Sequence, residues 1–349
     1  MRVGITYNLK DELPFNVSLD SEFFEEFDTR ETVEAISAIL VKKGHEVVKL
    51  GARADIVERI KKERIRFVFN LAEGYSGRNR ESHIPCILEM LNVPYSGSDP
   101  LSLGLSLDKT LSKKIAQLAG IPTPSYRVVR MGQDLKDADA GLAYPLITKP
   151  SWEGSSKGIY NSSKVSNKTE LEKNILFLFE KYPDQPVLVE EYIQGREVTA
   201  GIIGNATPRL LGLMEIVNRN NTDDFFYSLE VKRNWRKLVD YKTDSNIIKI
   251  LEGQLCDYAM AAFKEFGCRD IARIDFKISW DNKIFFLEIN PLPGLSPEYS
   301  DLVIMTQKLG IAYKDFISEI LHQGLSRYNL VDRNSLLCRD SLICQRKRL

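Results

Sequence analysis

The sequence predicts an α/β protein: an N-terminal doubly wound parallel-sheet domain followed by two α+β subdomains. Three observations carry that expectation. Strand and helix signals alternate through the first hundred residues, segments after Pro100 are sheet-rich without strict alternation, and residues 271–294, IARIDFKISWDNKIFFLEINPLPG, read as a hairpin with an acid in each strand. β-α-β alternation calls for parallel strands with helices on both faces. Strands without intervening helices call for antiparallel pairing. The 349 residues, 43% hydrophobic, suffice for two or three packed units.

Taken in order, residues 3–7 form a first strand. Asp28 and Glu31 suit a capping box opening a helix through Lys43, with Val33, Ile36 and Leu40 on one face and Gly44 as its stop. A strand over 45–50, a helix over 54–62, a strand over 66–71 and a helix over 83–91 continue the rhythm. The insert 9–27 carries Asp11, Glu12, Asp20, Glu22, Glu25 and Glu26 among four phenylalanines. It either covers a cationic substrate or forms a solvated lid edge. A helix over 106–118 bears Lys109, Lys113 and Lys114 and is broken by Pro122 and Pro124. Strands follow over 126–130 and 145–149, a helix over 169–182, and strands over 187–193, 197–203 and 210–217. A helix over 245–266 precedes the hairpin. Another over 313–322 leads into a polar tail from Arg327.

Bulk properties narrow the function. Lys+Arg 48 against Asp+Glu 48 disfavours a nucleic-acid partner. No segment approaches the roughly 20 apolar residues that span a membrane, and MRVGITYNL reads as a strand rather than a signal core. Cys86, Cys256, Cys268, Cys338 and Cys344 lack C-x-x-C spacing, as expected of reduced cytoplasmic thiols; Cys338 and Cys344 could alternatively pair or bind metal. No G-x-G-x-x-G follows the first strand and no Walker A motif occurs, so any nucleotide site is built another way.

The hairpin carries the sharpest chemistry. Period-2 alternation puts Glu288 and Asn290 on one strand face, and pairing brings Asp275 beside them. Hard oxygen donors without His or Cys suit Mg²⁺ that keeps waters and bridges phosphates. Arg273, two residues before Asp275, shares its face; it holds an oxyanion or carboxylate, or serves as a structural salt bridge. After the strand ending in Lys149, SWEGSSKG over 151–158 can turn backbone N–H groups and hydroxyls around an anion. The run VLVEEYI then Gly195, Arg196 and Glu197 could hold an adenine through Glu190 to Ile193 and a ribose through Glu197. Lys232 lies in a polar connection and reads alone as a surface lysine.

Together these segments resemble the ATP-grasp ligases, and specifically the D-alanine–D-alanine ligase family, over about residues 66–325. VPYSGSDPLSLGLSLDK, KPSWEGSSKG, VLVEEYIQGREVT, ARIDFK and FLEINPLPG carry the likeness in order. The resemblance implies a pre-ATP-grasp domain over 1–105, a small lid subdomain over 106–203, a large subdomain over 204–326, and a tail over 327–349. It implies ATP and Mg²⁺, usually two ions, with Mn²⁺ as a substitute. Lys109, Lys149, Ser156 and Lys232 fall on phosphate contacts, and Glu190, Ile193 and Glu197 on the adenosine contacts. Asp275, Glu288 and Asn290 fall on metal ligands, Arg273 and Gly294 on oxyanion stabilisers, and Ser155 on a substrate-positioning serine. A homodimer joined through the N-terminal domain is also implied.

Several stretches depart from the family. GITYNLKDE replaces the first-strand Gly-Gly-x-Ser-x-Glu whose Glu binds the first amino acid's amino group. AEGYSGRNRE puts Glu73 near the usual histidine, Arg233 stands where a tyrosine is expected, and LSPEYS differs where the second substrate's carboxylate is held. The expectation is an ATP-dependent ligase forming an acyl phosphate and then joining a carboxylate to an amine, with amino-acid-like substrates. Non-alanyl substrates of a specialised-metabolite or cell-wall pathway, or an ATP-binding regulator without turnover, are the alternatives.

Overall fold

The computed structural model describes residues 1–12, 21–219 and 226–331. Asp20, Cys338, Cys344 and most of the polar tail lie outside the described residues.

The N-terminal sheet is wholly parallel. Strands β1 (Arg2–Thr6), β2 (Glu46–Lys49) and β3 (Phe67–Asn70) take the order β2-β1-β3. Helices α1 (Arg30–Lys42) and α2 (Ile56–Lys62) make the crossovers, and α3 (His83–Met90) follows. The central strands are buried on both faces, as parallel strands under helices must be. Thr29, not Asp28, caps α1, accepting the Thr32 N–H at 3.4 Å.

A single helix over 106–118 is not what forms. Helix α4 (Pro100–Leu107) ends and α5 (Lys109–Leu118) begins at Asp108, whose backbone is extended and whose carboxylate accepts the N–H groups of Thr110 and Leu111 at 3.0 Å each. An Asp that satisfies two orphan N–H donors starts a new helix more favourably than it sits inside one.

The second sheet is antiparallel, with order β4-β7-β5-β6 for β4 (Tyr126–Val129), β5 (Leu146–Pro150), β6 (Lys164–Val165) and β7 (Val187–Glu191). Helix α6 (Lys168–Lys181) covers one face through Leu171, Ile175 and Leu178. The third sheet, also antiparallel, has order β10-β9-β8-β11-β12. Its strands are β8 (Gly195–Gly204), β9 (Arg209–Asn218), β10 (Val239–Lys242), β11 (Asp270–Ser279) and β12 (Ile284–Asn290). Lys232 lies on the short helix α7 (Leu229–Arg233), not in an irregular connection, and α8 (Trp235–Leu238) follows. Helix α9 (Asn246–Glu265) packs Leu255, Ala259 and Phe263 against Phe276 and Phe286 on one face. Helices α10 (Asp301–Lys308) and α11 (Tyr313–Arg327) cover the other, where Leu302, Met305 and Phe316 share a core with Val3, Ile5 and Phe69 of the first sheet. The expected division at residues 203/204 therefore cuts the end of β8; the sheets change between Glu191 and Gly195.

Asp270 fastens these parts. It is 0% exposed at the head of β11 and accepts from Gly97 N–H at 2.7 Å, Asn205 Nδ2 at 2.9 Å and Arg327 Nη2 at 3.2 Å. Replacing it with Ala strands a partly buried guanidinium and a buried N–H. Asp270→Ala is expected to lower stability by about 3–5 kcal/mol in urea unfolding; a loss below about 1 kcal/mol would show that the anchor is not structural.

Candidate active site

Antiparallel pairing of β11 with β12 sets Asp275 opposite Glu288 and Arg273 opposite Asn290, followed by a register shift between Asp275 and Phe276. The three oxygen-bearing side chains converge: Asn290 Nδ2 lies 3.3 Å from both Asp275 Oδ2 and Glu288 Oε1. From β8, Thr199 Oγ1 donates to Asp275 Oδ1 at 2.8 Å. The Arg273 guanidinium sits 2.9 Å from Asp275, and 3.5 Å from both Glu288 and Asp301. Lys109, first residue of α5, reaches Glu288 Oε2 at 3.1 Å. Burial and the neighbouring Glu288 and Asp301 charges push Asp275 up to about 6 although Arg273 opposes them. For Glu288, burial is outweighed by Lys109, Arg273 and Lys149, which bring its carboxyl down to about 2.

This donor set fits Mg²⁺. Two carboxylates and a carboxamide, whose Oδ1 faces the same point if the amide is turned over, supply hard oxygens from rigid strands. Among the described residues no group of three or more His, Cys, Asp or Glu is placed to hold a metal ion, so the carboxylates offered here number two and the third donor is the carboxamide.

Across the cleft lies the loop 151–158. Ser155 and Ser156 both adopt the left-handed region, with φ of 52° and 61°, and Ser156 Oγ donates to the Tyr227 carbonyl at 3.0 Å. Lys109 Nζ donates to the Glu153 carbonyl at 2.5 Å. Glu190 is 2% exposed and clamped between Lys149 and Lys113, the latter 2.7 Å away and itself 0% exposed. Burial lowers Lys113 to about 8, with Glu190 opposing. Glu197 faces Lys277 at 2.9 Å across the β8–β11 ladder, and Ile193 lines the apolar side. Burial lowers the Lys232 ammonium, with Asp301 opposing.

The residues singled out in the sequence come together. Lys109, Lys149, Ser155, Ser156, Glu190, Ile193, Glu197, Lys232, Arg273, Asp275 and Glu288 line one cleft; Asn290 and Gly294 line an adjoining cavity that shares Lys109, Ser155, Arg273 and Glu288. Arg273 pairs with Asp275 and also lines the cleft.

Neither reading of the acidic insert describes the placement of Glu22, Glu25 and Glu26. Glu26, 4% exposed at its side chain, accepts from Arg80 Nη2 at 2.7 Å, Lys157 Nζ at 2.9 Å and Gly154 N–H at 2.8 Å. Glu22 holds the Tyr160 and Tyr182 hydroxyls and Lys181 at 2.7–3.0 Å, and Glu25 holds Arg233 at 2.7 Å. These acids pair with the protein's own cations and hydroxyls. The sequence reading missed Lys113, Lys157, Glu26 and Asp301 as site-building residues. Lys113 alone had a signal, lying one helical turn after Lys109.

Fold and cleft together define an ATP-grasp enzyme. A D-alanine–D-alanine ligase of Bacillus anthracis, solved in complex with ATP, matches with a TM-score of 0.72 over 94% of this chain and 99% of its own, at 24% identity. The family model described as D-ala D-ala ligase C-terminus matches residues 115–322. A D-alanine–D-alanine ligase of Carboxydothermus hydrogenoformans is 35% identical over 301 residues, 84% of this chain and 92% of that protein. An uncharacterized protein of Sinorhizobium fredii is 35% identical over 266 residues, 75% of each chain. The chain belongs to the D-alanine–D-alanine ligase family. It is an ADP-forming enzyme that joins a carboxylate to an amine at the expense of ATP. No helix among the described residues is long and apolar enough to cross a membrane.

A Cβ built on Gly154 would meet Glu26 Oε1 at 2.6 Å, displacing the carboxylate that holds Lys157 and the loop. Gly154→Ala is expected to raise the KM for ATP several-fold and to speed proteolytic nicking within 151–158. Unchanged ATP kinetics and nicking would show that Glu26 does not hold the loop.

Proposed function

We propose that the enzyme activates the carboxylate of one amino-acid-like substrate with ATP and couples it to the amine of a second. The convergence of Asp275, Glu288, Asn290, Arg273, Lys109 and the 151–158 loop at one point supports this reading. A carboxylate resists attack because its leaving group would be oxide. Attack by a carboxylate oxygen on the γ-phosphorus breaks its bond to the bridging oxygen, ADP departs with that electron pair, and an acyl phosphate forms. The amine nitrogen then adds to the acyl carbon, the carbonyl oxygen takes the negative charge, and phosphate leaves as the oxygen re-forms its double bond and the nitrogen loses a proton.

Each residue group has a role in this scheme. Lys109, Lys149 and Lys232 hold phosphate oxygens while Glu190 fixes Lys149 and Lys113. Ile193 and Glu197 face adenine and ribose. Asp275, Glu288 and Asn290 would hold Mg²⁺, two ions by the resemblance and replaceable by Mn²⁺, which supplies charge neutralisation at the phosphate oxygens. Arg273 and the Gly294 N–H donate to the oxyanion of the addition step, a contact whose removal raises such barriers by about 3–4 kcal/mol. Ser155 positions substrate, and the 151–158 loop keeps water from the acyl phosphate. Carboxylates on the substrate wall and the Glu25–Arg233 pair support substrates other than two alanines. We place the activity in the cytoplasm, where the thiols of Cys86, Cys256 and Cys268 stay reduced. The homodimer and the subdomain division over 106–326 carry over from the resemblance.

Pairing D- and L-amino acids, with phosphate release and product mass as readouts, tests the reaction. Amino-acid-dependent ADP release with a condensed product is expected, and background release with intact ATP binding would leave a regulator instead. Glu288→Gln is expected to abolish turnover with ATP affinity only partly reduced. Arg273→Ala is expected to lower kcat about 10²–10³-fold with little change in ATP affinity. Near-normal rates in either variant would remove that residue from the scheme.

A further inference from the structure

The cavity beside the cleft has two walls of different origin. One carries the reacting end: Glu288, Asn290, Arg273, Gly294, Ser155 and Lys109. The other comes from the N-terminal domain and presents three carboxylates, Glu26, Glu73 and Glu81. Glu26 is fully used by Arg80, Lys157 and the Gly154 N–H. The other two are not. Among the described residues, neither Glu73 nor Glu81 accepts a side-chain hydrogen bond or forms an ion pair, yet Glu81 is only 8% exposed. Arg80, its chain neighbour, is committed to Glu26 and lies 3.6 Å from Glu153.

We propose that Glu73 and Glu81 form the receptor for the ammonium group of an amino-acid substrate whose carboxylate faces Lys109 and Arg273. The proposal rests on the ligase reading and deepens it by naming how the substrate is recognised. A buried carboxylate without a partner is costly. A primary ammonium carries three donors and a positive charge, enough to bridge two carboxylates. Burial raises both carboxyls above their ordinary range, aided at Glu73 by the Glu81 charge and opposed at Glu81 by Arg80, a state that an incoming cation reverses. The receptor is pre-built. Glu73 leaves β3 through a segment fixed by Ala72 N–H to Asn70 Oδ1 at 3.1 Å and Gly74 N–H to Asn8 Oδ1 at 2.9 Å. Glu81 is set by the short turn Arg80–Ser82, which Ser82 Oγ ties to the Pro100 carbonyl at 2.6 Å.

The test uses the full chain, a non-hydrolysable ATP analogue with Mg²⁺, and a panel of D- and L-amino acids, each paired with its deaminated acid (propionate for alanine). Calorimetry with the analogue reads binding, and ADP release with ATP in its place reads turnover. The amino acid that binds best is expected to lose at least about tenfold in affinity in Glu81→Gln and in Glu73→Gln, the worth of one charge-assisted hydrogen bond. Its deaminated partner, weak in the wild type, should be unaffected by either change, and ATP affinity should stay within about twofold. Unchanged amino-acid affinity in both variants, or an equal loss for the deaminated acid, overturns the receptor. Amino-acid binding that depends on these carboxylates without any ADP release sustains the receptor and overturns the ligase reading instead. Melting temperature checks that both variants fold.

Discussion

Asp275 stands opposite Glu288 across the β11–β12 ladder, and the rest of the site depends on that pairing. A slip of one residue would send one strand's functional side chains into the Phe276 and Phe286 core and separate the carboxylates. The register is held from both sides. Ten residue pairs lock β11 to β8, placing Thr199 beside Asp275 and Glu197 beside Lys277, while α9 seals the opposite face with Phe263 and Ala259. The donors are therefore rigid before any ligand arrives, the condition under which oriented charge is most effective.

Charge balance explains why a divalent ion belongs in this cleft. Lys109, Lys149, Lys232, Lys277 and Arg273 line the cleft with Glu153, Glu190, Glu191, Glu197, Asp275, Glu288 and Asp301. Five cations against seven carboxylates leave no surplus of positive charge for a triphosphate. Glu190 takes up much of the positive charge of Lys113 and Lys149. The hairpin acids, in contrast, are accessible hard donors of the kind a divalent cation takes. Removing one member of such a buried set leaves its partner uncompensated, so these positions tolerate change poorly for structural as well as chemical reasons.

The site was far more legible in the sequence than its support. Asp275, Glu288 and Asn290 declared themselves because strand periodicity is short and the hairpin turn is local. Glu190 and Lys149 were visible as motif members, but their contact was not, since β5 and β7 are almost forty residues apart and pair only in the fold. Asp108 hid inside an apparently continuous helix because its capping role depends on which of two helical frames the chain adopts. Helix α10 starts after Ser300, whose side chain caps no N–H of the helix, and packing of Leu302 and Met305 in the shared core selects it. The insert was the hardest to read. Glu22, Glu25 and Glu26 look like solvated charge until Lys181, Arg233, Lys157 and Arg80 arrive from distant segments.

That insert also gives the N-terminal domain two distinct jobs at one wall. Glu26 spends all its acceptor capacity on Arg80, Lys157 and Gly154, fixing the 151–158 loop. A carboxylate so engaged cannot also bind a substrate cation without releasing the loop. Separating the roles, with Glu26 on the loop and Glu73 and Glu81 on the cavity, lets the substrate wall change chemically while the nucleotide machinery stays intact. Arg80 stands between the two, donating to Glu26 and the Trp152 carbonyl while its charge opposes the effect of burial on Glu81.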